Sequence, residues 1–294
     1  MEVRNQNWFA QTTDETLTEQ PARTVPSFFD LSGRVILVTG ATGVLGEAFC
    51  RAIGSAGGTV IVIGRNADVG HERAEALRQS GVEALFAPAD VLNQKDLNRV
   101  AEQVMDSYGR MDGLVNAAGG NVAEAVVQPD QDLFSMDVAA LQRVFDLNLY
   151  GTVLPTLTFG QELVRRGGSI VNISSMASQS AITRVLGYSM AKAAVDNFTR
   201  WLAVEGAHRY GDKLRVNAIA PGFFLTHQNR NLLTNPDGTY TGRGEAVIRN
   251  TPYRRFGHPD ELGGALVWLL SDASRFVNGE VICVDGGFHV FSGV

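Results

Sequence analysis

The chain has 294 residues, of which 45% are hydrophobic and 19% charged, a composition typical of a single globular unit with a sizeable core. Its formal net charge is −6, and no basic arm or lysine cluster offsets this charge, which argues against general affinity for nucleic acid or anionic membranes. The five histidines lack the spacing of metal ligands, so we expect no metal site.

The N-terminal sequence and the two cysteines indicate the cellular compartment of the protein. Cys50 and Cys283 lie within apolar patterns and predict small core residues rather than a disulfide framework. We find no signal-peptide pattern, and no apolar stretch reaches the roughly 18 to 20 residues that span a bilayer. The sequence therefore predicts a cytoplasmic protein without a membrane segment. Residues 1–26 are polar and predict a flexible extension, followed by one domain over residues 27–294.

Seven short apolar runs alternate with stretches of helical periodicity. Such runs are typical of parallel strands buried on both faces. The runs are RVILVT (34–39), TVIVIG (59–64), EALFAPAD (83–90), DGLVNAA (112–118), GSIVNIS (168–174), LRVNAIA (214–220) and EVICVD (280–285). Helices are expected over 44–57, 68–80, 93–108, 137–166, 188–210 and 259–271. The alternation predicts an α/β fold with a Rossmann-like, doubly wound seven-stranded parallel sheet.

One segment interrupts the alternation of strands and helices. Residues 223–256 lie between the sixth and seventh strands and carry Asn, Arg, Gly and Pro. Long insertions at the carboxyl end of a strand commonly cover ligands in open α/β sheets. We therefore predict that this insertion is a substrate lid within the single domain.

A glycine-rich turn follows the first predicted strand. In TGATGVLG (39–46) the glycines permit a tight turn, close approach to a pyrophosphate and close packing of the next helix. The position between a strand and a helix predicts a dinucleotide site. The residues expected to line it are Gly40, Thr42, Gly43, Val44, Leu45 and Gly46.

The end of the second strand bears on the choice of cofactor. Gly64 stands where an NAD-binding protein would place a carboxylate against the adenosine ribose, and Arg65 offers a planar fork of donors suited to a 2′-phosphate. We therefore favour NADP(H), with NAD(H) as the alternative; Arg65 could also be a solvated loop residue. Later strand ends contribute Asp90 and Val91 near the adenine and Asn116, Ala117, Ala118 and Gly119 along the cofactor.

Tyr188 and Lys192 stand four residues apart in a predicted helix, so their side chains share one face. A phenol normally titrates near 10, and a fixed cation lowers that value. Such a phenol can donate a proton to a nascent alkoxide while a nicotinamide supplies hydride. The alternative is a surface tyrosine packed over a lysine stem.

A third group must bind the carbonyl oxygen during such a reduction. Ser175 follows the strand IVNIS and precedes Tyr188 by thirteen residues, while Ser174 is a near-equal competitor on spacing. Asn148 occupies the middle of a predicted helix, where asparagine is a poor helix former, and a hydrogen-bonding role is one interpretation.

These segments together resemble the short-chain dehydrogenase/reductase family. The resemblance rests on TGATGVLG, NAAG, Asn148, NISS, YSMAK and APGFFLT, in that order, and extends over residues 28–294. It implies that Tyr188 is the acid/base, that Lys192 binds the nicotinamide ribose, and that Ser175 rather than Ser174 polarises the carbonyl. Asn148 would hold a water in a proton relay to Lys192.

The resemblance also implies further cofactor contacts. Pro221, Gly222 and Thr226 would lie around the nicotinamide carboxamide, and Phe224 belongs to the same cofactor-lining run. The glycine turn departs from the commoner TGxxxGxG spacing, because the middle glycine comes one residue early and Val44 follows it.

A narrower resemblance is to the fructuronate reductase (D-mannonate oxidoreductase) branch, which acts on sugar acids. It rests on FFDLSGRV, VFDLNLYGTVLPT, TPYRRFGHPDEL and VDGGFHVFSGV, with Gly64 and Arg65 as a departure. A sugar acid needs a cation for its carboxylate, and arginine binds carboxylates in a bidentate fork. The substrate candidates are Asn121, Arg184, His227, Gln228, Asn229 and Arg230.

The sequence thus predicts an NAD(P)-dependent oxidoreductase that interconverts a ketone and a secondary alcohol of a sugar acid. Alternatives are another keto-sugar, polyol or gluconate-type substrate, or a dinucleotide sensor without turnover. The resemblance also implies a homo-oligomer, a tetramer or a dimer, through the helices predicted over 137–166 and 188–210.

Overall fold

The computed structural model describes residues 24–226 and 229–294. Most of the predicted extension, residues 1–23, lies outside the described residues, as do His227 and Gln228. The described chain begins with a short helix, α1 (Val25–Phe28), which has no buried residue. Along the described part of the chain, the first fully buried side chain is that of Leu31, which belongs to the main core.

Seven strands form one parallel sheet, and each lies within two residues of its predicted limits. They are β1 (Val35–Thr39), β2 (Thr59–Gly64), β3 (Ala84–Pro88), β4 (Gly113–Asn116), β5 (Gly168–Ile173), β6 (Leu214–Pro221) and β7 (Val281–Val284). The strand order is β3-β2-β1-β4-β5-β6-β7. The order reverses between β1 and β4, and ligands of open α/β sheets bind in the crevice outside such a switch point.

Helices cover both faces of the sheet and confirm the doubly wound architecture. Their bounds are α2 (Val44–Ser55), α3 (Ala67–Gln79), α4 (Gln94–Tyr108), α5 (Val138–Phe145), α6 (Gly151–Arg166), α7 (Leu186–Tyr210), α8 (Arg230–Leu233), α9 (Gly242–Asn250) and α10 (Gly263–Leu270). One face carries α2, α3 and α10, and the other carries α4, α6 and α7. Side chains of each strand alternate between these two cores, because successive strand residues point to opposite faces.

The helix predicted over residues 137–166 is interrupted in its middle. A π-helical turn, Asp146–Tyr150, separates α5 from α6. Within it, the Asn148 amide donates to the carbonyl of Val144, four residues earlier, at 2.8 Å. A side chain that competes for a helix carbonyl favours a local departure from α-helical geometry, and π-turns occur frequently at functional sites.

The insertion at residues 223–256 contains two short helices that the sequence pattern did not predict. Helices α8 and α9 pack around a small apolar cluster of Leu233, Val247 and Phe256. The cluster is separate from the two sheet cores, so the insertion is a local unit beside the carboxyl end of β6. Within the described residues, no helix combines the length and apolarity needed to cross a bilayer.

Candidate active site

The turn between β1 and α2 is as compact as its glycines predict. A Cβ on Gly40 would lie 2.6 Å from the carbonyl oxygen of Ala117, and Gly40 has a φ of +64°. A Cβ on Gly46 would lie 2.3 Å from the carbonyl oxygen of Gly40. Helix α2 begins at Val44 without a side-chain cap, so the backbone N–H groups of its first turn are suited to bind a pyrophosphate.

Two side chains hold the glycine turn in place. The Thr39 hydroxyl accepts hydrogen bonds from the backbone N–H groups of Ala117 and Ala118, at 3.1 and 3.2 Å, and so joins the ends of β1 and β4. Arg73 on α3 donates to the carbonyls of Ala41 and, at 2.7 Å, Gly43. The sequence did not single out Arg73, because it follows the turn by thirty residues and no local pattern links the two.

The end of β2 carries no acidic residue that could bind a ribose. A Cβ on Gly64 would lie 2.7 Å from a side-chain carbon of Thr42, so a larger residue at position 64 would displace Thr42. The Arg65 side chain is 73% exposed and lies 3.8 Å from the Asp90 carboxylate. Asp90 also accepts from the backbone N–H of Leu92, which fixes its orientation. The Arg65 guanidinium therefore has most of its donors available at the mouth of the crevice.

The residues after β3 and β4 divide into two groups. Val91 is buried, and Ala117 and Gly119 offer little side chain, as expected of a surface that lies along a cofactor. The amide nitrogen of Asn116, in contrast, donates to Thr156 and Asn172, both at 2.9 Å, within the interior. Asn116 therefore braces β4 against β5 and α6 rather than extending its side chain toward a cofactor.

The two adjacent serines after β5 have different surroundings. Ser174 is buried, and its hydroxyl donates to the carboxylate of Asp196 on α7. Ser175 is half-buried, accepts from the backbone N–H of Ala177 at 3.1 Å, and lies beside the Tyr188 hydroxyl. Because the Ser174 hydroxyl is already bonded in the interior, Ser175 is the serine that can meet a ligand next to Tyr188.

Tyr188 and Lys192 lie on one face of α7, as their spacing predicts. The Lys192 ammonium is 5.6 Å from the centre of the Tyr188 ring. Lys192 is only 4% exposed, and its Nζ donates to the carbonyl of Ile173, at the end of β5, at 2.7 Å. Burial lowers the pKa of Lys192 to about 8, and the Asp196 carboxylate opposes this shift.

The pKa of Tyr188 shifts in the direction opposite to the one expected from a nearby cation. Burial raises the pKa of the phenol, and the Ser175 hydroxyl partly offsets the rise. The physical reason is desolvation, which disfavours the charged phenolate. In the protein alone, Lys192 does not make Tyr188 more acidic, and its nearest hydrogen-bond acceptor is the Ile173 carbonyl.

Asn148 connects the π-turn to the loop after β4. Its amide donates to the carbonyl of Gly120 at 2.7 Å, and its Oδ1 accepts from the Gly120 N–H at 3.0 Å. A Cβ on Gly119 would lie 2.7 Å from this Oδ1 and 3.3 Å from the Lys192 ammonium. Asn148 and Lys192 therefore flank the same glycine, although the amide of Asn148 is bonded to the backbone.

The run after β6 is held close to β7. The Gly222 N–H donates to the Val284 carbonyl at 2.9 Å, and a Cβ on Gly222 would lie 2.7 Å from Asp285. Pro221 is buried at the strand end, and Thr226 is half-buried in the loop. The ring of Phe224, which is predicted to belong to the cofactor lining, is 5% exposed and packs in the main core.

The substrate candidates that the structure describes have different surroundings. The Asn229 side chain closes its own turn, since it donates to the Phe224 carbonyl and accepts from the Thr226 N–H, both at 2.8 Å. Arg230 begins α8 and is exposed, and Asn121 accepts from the N–H of its neighbour Val122. The structure thus gives Asn229 a role in the loop and leaves Arg230 accessible.

Arg184 has a second arginine beside it. Its guanidinium donates to the Val127 carbonyl at 2.7 Å and to the Gln128 side chain at 2.8 Å, and its φ is +77°. Arg243 on α9 donates to the carbonyl and hydroxyl of Thr183, at 3.1 and 3.3 Å. Burial and, after it, Arg184 lower the pKa of Arg243. The insertion therefore contacts the loop before Tyr188 through Arg243, a cation that neighbours Arg184; sequence spacing gave no signal for Arg243.

This arrangement suits proton transfer beside a dinucleotide. A glycine turn and an uncapped helix start lie at the sheet switch point, and a tyrosine, a serine and a buried lysine lie at the end of β5. Among residues 24–226 and 229–294, no cluster of His, Cys, Asp or Glu could hold a metal ion. The site's own chemistry is therefore that of hydroxyls, an ammonium and backbone amides.

Comparison with known proteins places these features in a family. A short-chain dehydrogenase/reductase family model, described as Enoyl-(Acyl carrier protein) reductase, matches residues 40–289. The uncharacterized oxidoreductase UxuB of Bacillus subtilis is 40% identical over 280 residues, which cover 92% of this chain and 100% of that protein. The 2-dehydro-3-deoxy-D-gluconate 5-dehydrogenase of Formosa agariphila is 32% identical, with 88% and 94% of the two chains covered.

Solved structures agree with this placement. A protein of Haemophilus influenzae, described provisionally as a D-mannonate oxidoreductase with bound NAD, is 37% identical with a TM-score of 0.84, covering 92% of this chain and 100% of that one. A gluconate 5-dehydrogenase of Burkholderia cenocepacia, in complex with NADP and tartrate, is 29% identical with a TM-score of 0.80, covering 91% and 99%. With the glycine turn and the Ser175, Tyr188 and Lys192 cluster in place, the chain belongs to the short-chain dehydrogenase/reductase family, as an NAD(P)-dependent oxidoreductase acting on CH–OH donors.

Proposed function

We propose that the protein interconverts a ketone and a secondary alcohol of a sugar acid, with Tyr188 as the acid/base. The observation that carries this proposal is the meeting of Ser175 and Tyr188 above a buried Lys192 at the carboxyl end of β5. The Ser175 hydroxyl would hold the carbonyl oxygen next to the phenol. Tyr188 would then protonate that oxygen in reduction and accept the proton in oxidation.

The nicotinamide, when bound, supplies or receives the hydride. Lys192 is proposed to hold the nicotinamide ribose through its ammonium, which lies 5.6 Å from the centre of the Tyr188 ring. Asn148 is proposed to hold a water next to Lys192. Because its amide groups are bonded to Gly120 and Val144, such a water would reach its backbone carbonyl, which already accepts from Thr152 at 3.0 Å.

NADP(H) is the favoured cofactor in this proposal. The exposed Arg65 fork can bind a 2′-phosphate, while Gly64 offers no carboxylate to a ribose diol. Gly40, Thr42, Gly43, Val44, Leu45 and Gly46 would surround the pyrophosphate, and Asp90 and Val91 would face the adenine. NAD(H) is the alternative, and the similar proteins of known structure include one with each cofactor.

A sugar acid is supported by the pair Arg184 and Arg243. Two neighbouring guanidinium groups repel each other, and within the described part of the chain neither has a carboxylate as an ion-pair partner. A substrate carboxylate would relieve that repulsion through charge-assisted hydrogen bonds. Arg184 also has a positive φ, a costly conformation for a residue with a side chain and one that clusters at ligand sites. Relatives named for gluconate derivatives agree with this substrate class.

A substrate screen tests the proposed reaction. Purified protein would be assayed with NADPH and with NADH against fructuronate, 5-keto-D-gluconate and the neutral keto-sugar fructose, and with NADP⁺ and NAD⁺ against mannonate and gluconate. We expect turnover of at least one acid and faster reaction with NADPH. Cofactor binding without turnover of any compound would instead favour a dinucleotide sensor. Turnover of fructose alone would exclude the sugar-acid assignment.

Exposed apolar side chains support a homo-oligomer, a tetramer or a dimer. Leu157 on α6 is 65% exposed, and Trp201 and Val204 on α7 are 57% and 55% exposed. Apolar patches on surface helices commonly mark protein interfaces. We propose that α6 and α7 pair with their copies, and sedimentation of the protein as a monomer at micromolar concentration would contradict this.

A further inference from the structure

A buried carboxylate, Asp196, lies one helical turn after Lys192 and has no place in the proton-transfer scheme so far. Asp196 is 4% exposed, as is Lys192. A buried carboxylate without partners would cost several kcal/mol, roughly, so its partners identify its function. The sequence did not single it out, because an acidic residue within a helix is ordinarily solvated.

Asp196 binds the segment that carries Ser175. The hydroxyl of Ser174 donates to one carboxylate oxygen, and the hydroxyl of Ser178 donates to the other at 2.7 Å. The Ser178 hydroxyl also contacts the Ser175 carbonyl at 2.7 Å. Lys192 completes the attachment, since it donates to the carbonyl of Ile173. Residues on both sides of Ser175 are therefore fastened to α7, the helix that bears Tyr188.

Asp196 also affects the pKa of Lys192. Burial lowers the pKa of Lys192 to about 8, and Asp196 is the charged group that opposes this shift among the described residues. The other ionisable groups nearby are Tyr188, on the same helix, and Cys283 on β7, whose thiol pKa is raised mainly by burial and then by Asp285. Removal of the Asp196 charge would leave burial unopposed and lower the pKa of Lys192 further.

We propose that Asp196 is a positioning residue that acts through two neighbours: it orients the Ser175 hydroxyl toward Tyr188, and it places a negative charge one helical turn from the buried Lys192 ammonium. This inference rests on the roles proposed above for Ser175, Tyr188 and Lys192. Both actions come from one carboxylate, because its two oxygens bind the serine segment and it lies one helical turn after Lys192 on α7.

The two actions predict different pH behaviour for different variants. Asp196→Asn removes the negative charge, so Lys192 loses its proton at lower pH. In the pH profile for ketone reduction, the alkaline limb, where kcat/KM declines as pH rises, is therefore expected to move to lower pH by roughly one unit. Ser178→Ala keeps the Asp196 charge and removes the hydrogen bond from the Ser178 hydroxyl to Asp196. We therefore expect kcat to fall severalfold, while the pH of the alkaline limb equals that of the wild type within experimental error.

Conservative and smaller replacements keep the test decisive. Asp196→Glu retains the negative charge, so its alkaline limb is expected at the same pH as in the wild type, even if kcat is reduced. If Asp196→Asn does not fold, Asp196→Ser is measured instead, since its hydroxyl is small and also uncharged. Thermal unfolding and NADPH binding are recorded for every variant, so a loss of structure is recognised.

The outcomes separate this inference from the proposed function. If a folded variant without the Asp196 charge has its alkaline limb at the wild-type pH, the proposed effect of Asp196 on Lys192 is wrong. If kcat is unchanged in both Ser174→Ala and Ser178→Ala, the proposed orientation of Ser175 by Asp196 is wrong. Absence of turnover in the wild-type protein would contradict the proposed function. If the wild-type protein turns over substrate and the alkaline limb of Asp196→Asn lies at lower pH, both the proposed function and the role of Asp196 are supported.

Discussion

The base of the site and the insertion beside it are stabilised in different ways. At the base, Asn148, Lys192 and Asp196 are at most 4% exposed and bonded on several sides. The insertion, in contrast, reaches the loop before Tyr188 through Arg243 and Thr183, in contacts that are exposed to solvent. Its C-terminal end carries the Arg255 and Glu261 ion pair at 2.6 Å, and these side chains are also exposed, at 51% and 43%.

Under the proposed function, the base would determine the reaction type and the insertion would determine the choice of substrate. Charges in a buried region interact strongly, so the base imposes one proton-transfer geometry. Contacts at a solvent-exposed surface are individually weak and easily replaced. Changes at the base should therefore affect every substrate alike, whereas changes in the insertion should affect substrates according to their charge.

The largest predicted effect tests the base. Tyr188→Phe removes the hydroxyl that would transfer the proton, and we expect kcat to fall about 10²- to 10⁴-fold for all substrates. NADPH affinity, measured by fluorescence titration, should change little because the ring remains. Retained turnover would show that another group transfers the proton, while Tyr240→Phe in the insertion serves as the matched control.

The second prediction concerns the glycine turn. Gly46→Ala places a Cβ 2.3 Å from the Gly40 carbonyl oxygen, and overpacking of this kind costs about 1–3 kcal/mol. We expect the dissociation constant of NADPH to rise by up to about a hundredfold. Gly264→Ala is the control, because a Cβ there meets no atom within 4 Å. Equal affinity in both variants would exclude the turn as the pyrophosphate site.

The third prediction tests the insertion. Arg243→Gln removes one cation of the pair, and loss of a charge-assisted hydrogen bond of about 1.5–3 kcal/mol lowers kcat/KM for sugar acids roughly tenfold or more. The neutral keto-sugar should be nearly unaffected, and the loss for acids should appear mainly in KM. Arg249→Gln, on the same helix, is the matched control. An equal loss for neutral and acidic substrates would assign Arg243 to the structure of the insertion.

The smallest predicted effect concerns Arg65. Its side chain is 73% exposed, so solvent weakens its attraction for a phosphate. We expect Arg65→Ala to lower kcat/KM for NADPH about fivefold, with that for NADH unchanged, as for a contribution of about 1 kcal/mol. Arg78→Ala, on the surface of α3, provides the control. A parallel loss with both cofactors would count against recognition of the 2′-phosphate.

Local pattern was sufficient for the sheet, the glycine turn and the Tyr188 and Lys192 pair. Strands buried on both faces appear as apolar runs, and glycines appear where the backbone approaches another segment closely, so both signals are contained in a few neighbouring residues. The same holds for the helix face, since residues four apart project together. The family resemblance added the order of these segments, and comparison with known proteins confirmed it.

The sequence by itself thus determined the fold, the cofactor class and the location of the tyrosine and lysine. Only the tertiary structure showed that the Ser174 hydroxyl is bonded to Asp196 in the interior, that the ring of Phe224 is buried and that Arg243 lies next to Arg184. It also reversed the expected pKa shift of Tyr188, because burial raises the pKa of the phenol by more than the hydrogen bond with Ser175 lowers it. These features depend on which distant segments meet and how much water they exclude, and neither quantity is encoded in the spacing of residues along the chain.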